Sequence, residues 1–208
     1  MANRSKAKGD KAELDATEHF KAVCPDLVVA RPKRMLGAGR KEDVGDLWVF
    51  EDVAVQVKAY APAALSAALY DAARTSVDQA ANGEKTFALG MVKLHNARPP
   101  KQERWLASVV EWPEPVDDPV IFKAATAAAD WAKLAVTGSQ VARVERGGTD
   151  AIYVAPMRVW LDAYRRYREA HPGEYVVPTI PERLAQLEAE EAAAARALFS
   201  IAELWPMP

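Results

Sequence analysis

Between Gly45 and Lys58 the chain reads GDLWVFEDVAVQVK, two short apolar runs split by an acidic pair. Leu47, Trp48, Val49 and Phe50, then Val53, Val55 and Val57, are strand formers, and Glu51-Asp52 sits where a hairpin must turn. On the second strand Gln56 and Lys58 are two residues apart and project from one face. Asp46 lies on the neighbouring strand, so its face depends on the turn. A two-residue loop pairs it with Val57, on the wrong face, whereas a three-residue loop or one bulge pairs it with Lys58. For Asp46, Gln56 and Lys58 to act together, the hairpin must contain an odd loop or a bulge.

A chain of 208 residues, 50% hydrophobic, can bury one good core and carry an appendage. No apolar run approaches membrane-spanning length, and the polar start MANRSKAKGDK lacks the apolar stretch of a signal peptide, so the expectation is a soluble, cytoplasmic protein without membrane contact. Cys24 is the sole cysteine, which leaves no disulfide framework and no cysteine-based zinc site; it is expected to be a small buried hydrophobe. His19, His95 and His171 are far apart and lack metal-ligand spacing. Any bound metal is therefore expected to be a hard one, held by oxygens.

The net charge of -2 is unlike that of a DNA binder, but its distribution is uneven. Residues 1–110 carry 17 Lys+Arg against 14 Asp+Glu, a net of +3, and residues 111–208 carry 10 against 15, a net of -5. Arg31, Lys33, Arg34, Arg40 and Lys41 fall between Val28 and Lys41 with no acid among them. Such a stretch is either a phosphate-facing loop or a solvated basic one.

Taken in order, Ala7 to Cys24 reads as a helix whose apolar face holds Ala16, Phe20, Val23 and Cys24, with Glu13 at its centre. A carboxylate there needs a partner, a cation or a bound metal. Leu27 to Ala30 is expected as a short strand, followed by the basic segment RPKRMLGAGRKEDVG, in which Gly37 and Gly39 suit either close approach to a phosphate or an ordinary turn. The hairpin comes next, then an alanine-rich helix from about Pro62 to Ala81 stopped by Asn82-Gly83. Strands over Thr86–Leu94 and Trp105–Trp112 complete a core spanning residues 1–112. Beyond Pro113 the pattern predicts a helix over Asp118–Val136, a hairpin from Gln140–Glu145 and Ala151–Val154, a helix over Met157–Ala170, and a last helix over Glu182–Leu204 after a proline-bounded spacer. The stripe Met157, Trp160, Leu161 and Tyr164 reads as core packing ahead of a base-stacking platform.

Phosphodiester hydrolysis needs a metal to polarise the phosphate and deliver a hydroxide, and a cation near the developing charge. Asp46 and Glu13 supply carboxylate oxygens, the carbonyl of Val57 a third, Gln56 a neutral amide oxygen, and Lys58 can orient water or stabilise the transition state. As isolated residues, Asp46 and Lys58 would more commonly form a cross-strand salt bridge.

Lys8-Gly9 followed by Glu13 on a first helix, a strand leading into Arg31, a basic glycine-containing loop, Gly45-Asp46 and then Gln56-Val57-Lys58 resembles the PD-(D/E)xK nuclease superfamily, and within it archaeal-type Holliday junction resolvases and their phage relatives. The resemblance covers roughly Lys8 to Leu94. It implies an α/β fold, a mixed central sheet flanked by helices in the order α-β-β-β-α-β; the extension over residues 113–208, mostly helical by its own pattern, is expected to pack on it. It also implies a Mg2+- or Mn2+-dependent endonuclease in which Glu13, Asp46, Gln56 and the Val57 carbonyl surround the metal and Lys58 is the catalytic lysine. Lys8, Arg31, Lys33, Arg34, Arg40 and Lys41 would contact DNA, and the working unit would be a homodimer on a four-way junction. Position 56 is Gln where resolvases usually carry Glu, as in some restriction enzymes of the Mrr type, and Leu36 to Arg40 lacks the serine resolvases usually have there. Two other readings fit the same residues: a restriction- or repair-type nuclease, and a relative that has lost catalysis and binds DNA or a protein.

Overall fold

The computed structural model describes residues 4–35, 43–95, 97, 103–134, 140–148 and 150–172. The chain separates into two compact units, Met1–His171 and Pro172–Pro208. The helix expected over Glu182–Leu204 lies outside the described residues, as do the glycines at 37 and 39.

The first unit is α/β, one mixed eight-stranded sheet flanked by four helices. In chain order the elements are α1 (Arg4–Val23), β1 (Lys33–Arg34), β2 (Leu47–Trp48), β3 (Val53–Lys58), α2 (Leu65–Asn82), β4 (Phe87–Lys93) and β5 (Trp105–Val109), then β6 (Val120–Phe122), α3 (Ala125–Leu134), β7 (Ala142–Val144), β8 (Ile152–Pro156) and α4 (Met157–Ala170). Across the sheet the order is β1-β2-β3-β4-β5-β8-β7-β6, antiparallel except for the β3–β4 and β6–β7 pairs. Among the described residues no helix is long and apolar enough to cross a membrane.

Strand alternation decides which helix packs where. Val53, Val55 and Val57 of β3 point to the face covered by α1 and α4, where Phe20, Phe50, Trp160 and Tyr164 form the centre of one core. Phe20 meets Phe50 edge-on at 5.0 Å between ring centroids, and Trp160 stacks on Tyr164 at 5.1 Å. Met157, Trp160, Leu161 and Tyr164 are all buried, so the α4 stripe is core. The opposite face is covered by α2 and α3, whose alanines (Ala72, Ala73, Ala128, Ala129) pack on Leu106, Ile152 and Val154. Small side chains bring α2 close to the sheet, and Gly90 of β4 is where it comes closest: a Cβ there would lie 2.6 Å from the Ala72 carbonyl carbon and 2.4 Å from Ser108 O.

Two expectations need correction. The first strand does not form at Leu27–Ala30: Leu27 N–H closes a turn on Cys24 O, and only Val29 N–H reaches the sheet side, donating to Val49 O at 3.0 Å. The strand forms later, inside the basic segment, where Lys33 and Arg34 pair with Trp48 and Leu47. Charged residues are tolerated at this position because β1 is a sheet edge. Second, the helix expected from Asp118 begins only at Ala125. Pro119 and the β-branched Val120-Ile121 precede it, and Val120–Phe122 joins the sheet as β6, parallel to β7. Beyond residue 113, β6, β7 and β8 extend the same sheet from β5. The hairpin of β7 and β8 and the helix over Met157–Ala170 stand where the sequence placed them.

Candidate functional site

The hairpin has the odd connection that the face argument required. Leu47 pairs with Val55, a register in which residues 50–52 are a three-residue connection and Asp46 falls opposite Gln56, and the Asp46 N–H donates to Val55 O at 2.8 Å. Gly45 permits this. Its φ is 113°, and a Cβ would sit 3.3 Å from both Val55 N and Val55 O. The consequence is that Asp46 shares a face with Gln56. Its Oδ2 accepts the Val57 N–H at 2.8 Å and the side-chain amide of Gln56.

Gln56 is buried and faces α2. Its Nε2 lies between two of the oxygens assigned to a metal, donating to Asp46 Oδ2 and approaching Val57 O at 3.3 Å. Its Oε1 accepts from Gln79 Nε2 at 2.6 Å, and the same Gln79 nitrogen donates to Asp43 Oδ2 at 2.9 Å. Asp43 is itself tied to the end of α2 by Asn82 Nδ2, which donates to its carbonyl at 2.9 Å. A hydrogen-bonded row thus runs Asp43–Gln79–Gln56–Asp46.

Glu13 stands on α1 and has the cation its position demanded: Arg34 of β1 donates Nε to Glu13 Oε2 at 2.6 Å and a terminal nitrogen to Asp10 Oδ1 at 2.6 Å. Arg34 therefore turns back onto α1. Lys58 ends β3, half-buried. Glu13 and Lys58 both act electrostatically on Asp46. Burial pushes the Asp46 carboxyl up to about 6; the Val57 N–H opposes this, Glu13 adds to it, Lys58 opposes it, and Asp43 adds to it.

The donors are of the right kind for a hard divalent cation, carboxylate, amide and carbonyl oxygens, and two of them already converge on one point. That point is held by an amide nitrogen. Among the described residues there is no cluster of three or more His, Cys, Asp or Glu able to hold a metal; position 56 is Gln, and Glu13 is paired with Arg34.

Of the residues expected at DNA, Lys8 is exposed on α1 and Arg31 is exposed just before β1. Lys33 places its ammonium 4.7 Å from the centroid of the Trp48 ring. Arg40 and Lys41 lie outside the described residues. Next to this edge is a cavity of ≈360 Å³ whose lining includes Lys33, Trp48, Glu51 and Lys85, aromatic and cationic groups together.

The sequence reading missed Gln79 and Asp43. Gln79 had a signal: it is seven residues after Ala72 and three after Ser76, on the inner face of an alanine-rich helix, and it is 1% exposed. A buried amide on such a face must bond to something. In comparisons with known proteins the chain matches no protein-family model, no curated protein and no solved structure.

Proposed function

We propose that the chain is a metal-dependent DNA endonuclease of PD-(D/E)xK type that acts as a homodimer on branched DNA in the manner of a Holliday junction resolvase. The observation that supports this best is the convergence of Asp46 Oδ2 and Val57 O on one point beside Lys58 and Glu13. Asp46, the Val57 carbonyl, Gln56 through its amide oxygen, and Glu13 would hold Mg2+ or Mn2+. When bound, the ion supplies a polarised phosphate and an activated water.

The other steps belong to the chain itself. Above about pH 6 Asp46 is a carboxylate able to take a cation. Lys58, fixed at the end of β3 beside it, offsets negative charge developing on the phosphate. Arg34 ties the Glu13 and Asp10 carboxylates of α1 to the sheet edge at β1. Lys8, Arg31 and Lys33 provide cationic surface near the site for the DNA backbone.

A second reading is a DNA-binding relative that has lost catalysis. It is favoured by the amide nitrogen of Gln56, which satisfies Asp46 and Val57 without any ion. Cleavage of a labelled four-way junction, linear duplex and single strand in Mg2+ or Mn2+, with wild type and Asp46→Ala, separates the readings. Symmetric junction cuts that vanish in Asp46→Ala establish the resolvase activity, and cuts in linear DNA alone indicate a restriction or repair nuclease. Binding without cleavage under every condition leaves the second reading.

A further inference from the structure

Gln79 has two features that its burial makes significant. Its Nε2 is shared by two acceptors, Asp43 Oδ2 and Gln56 Oε1. Its Oε1 is buried and has no hydrogen-bond partner among the described residues. The orientation of one amide therefore fixes that of the other. With Gln79 Nε2 facing Gln56, Gln56 must present Oε1 to α2 and Nε2 to Asp46.

That orientation shuts a cation out of the site. To ligate one beside Asp46, Gln56 must turn its amide over and present Oε1, which brings its Nε2 against Gln79 Nε2, donor against donor. The conflict with Gln56 is relieved if Gln79 turns as well: its oxygen, unpartnered in the present arrangement, then accepts from Gln56 Nε2, and Asp43, faced by that oxygen in place of a donor, must swing away. Asp43 already acts electrostatically on Asp46. Its carboxylate, released from the amide, is then open to a cation's field.

We infer that Gln79 is a positioning residue which decides which end of the Gln56 amide faces Asp46, and that Gln56 and Gln79 turn over together when a hard divalent cation replaces Gln56 Nε2 between Asp46 and Val57. The inference rests on the metal-site reading given above. Gln79 touches neither the ion nor substrate and acts through Gln56 alone.

The test is Mn2+ binding by isothermal titration calorimetry on the full chain, comparing wild type with Gln79→Glu, Gln79→Met and Gln56→Glu, each confirmed folded by circular dichroism. Gln79→Glu can only accept from Gln56, so it turns the Gln56 oxygen toward Asp46 and tightens Mn2+ by about tenfold, the scale of outer-shell effects on metal sites. Gln79→Met keeps the volume, adds no charge and removes the locking donor, and it tightens Mn2+ by a smaller factor that charge cannot explain. In wild type, the side-chain amide resonances of Gln56 and Gln79 shift together on titration with diamagnetic Mg2+. If Gln56→Glu binds Mn2+ while both Gln79 variants bind like wild type, the positioning role is wrong and the metal site stands. If no variant, Gln56→Glu included, binds Mn2+, the metal-site reading falls and the inference falls with it.

Discussion

Gln56 donates its side-chain amide to the carboxylate of Asp46, so two adjacent strands make between them the contact that a cation would otherwise provide. Replacing that donor by an acceptor reverses the relationship. Gln56→Glu puts a second carboxylate against Asp46 and, in EDTA at pH 8, lowers stability by about 2 kcal/mol. Mg2+ at about 100 times its Kd restores about 2.7 kcal/mol. Urea melts with EDTA and with Mg2+ give both numbers, and a variant indifferent to Mg2+ would count against a metal site.

The carboxyl of Asp46, pushed up to about 6 chiefly by burial, makes stability depend on pH. Its folded pKa is above the unfolded value of 3.8, so the folded state holds the proton more tightly. The resulting stabilisation is fully present below pH 3.8 and is lost as pH rises through 6. Two pKa units correspond to about 3 kcal/mol. In EDTA, wild type should therefore lose about that much relative to Asp46→Asn between pH 4 and pH 7.5, measured by urea denaturation at several pH values. Parallel pH profiles would show that Asp46 titrates as an ordinary surface acid.

Gly90 lies opposite Gln56 in the parallel β3–β4 register and directly under Ala72 of α2. Gly90→Ala must lift α2 or shift β5, at a cost of about 3 kcal/mol. The same displacement withdraws Gln79 from Gln56. Thermal unfolding checks the first effect, and loss of the Gln56 side-chain amide shift in NMR spectra checks the second.

At the far end of the hairpin Asp52 is buried, accepting from Tyr164 Oη at one oxygen and from Arg168 at 3.1 Å at the other. Burial, and then the Asp52 carboxylate, push Tyr164 well above the ordinary phenol range, so it remains a donor. Asp52→Ala removes the buried carboxylate that Tyr164 and the part-buried Arg168 both donate to, and should cost about 3 kcal/mol. Tyr164→Phe removes one bond and should cost about 1 kcal/mol. Equal losses from the two substitutions in chemical denaturation would place the energy in packing and not in the carboxylate.

The elements legible in the sequence were those whose pattern is set within the element. Val53–Lys58, the alanine-rich α2 and the aromatic stripe of α4 each announce a buried face by their own spacing. β1 could not be read this way. Lys33 and Arg34 are a strand because Trp48 and Leu47 offer them backbone partners and because α1 offers Arg34 two carboxylates, all of it distant in sequence. β6 was hidden by its neighbour, since Val120–Phe122 runs into a helix after only two residues. The membership of Asp46 in the site depended on the three-residue connection of the hairpin, a length that no periodicity encodes. Gln79 lay in plain view on an apolar face, but which way its amide points is settled only by Gln56 and Asp43.

The continuity of the sheet from β5 into β8, β7 and β6 bears on what the smallest working piece of this protein can be. All five residues of β5 are buried, and one of its two ladders is made to β8. A fragment ending at residue 112 would keep every side chain of the candidate site and still leave that ladder open along an apolar strand. It would meet solvent as a sticky margin, prone to pair with its own copies. Among the described residues the sheet instead finishes on β1 and β6, strands of two and three residues, too short to recruit a neighbour. The later strands thus serve as a selvedge that keeps the site-bearing half from fraying into aggregates.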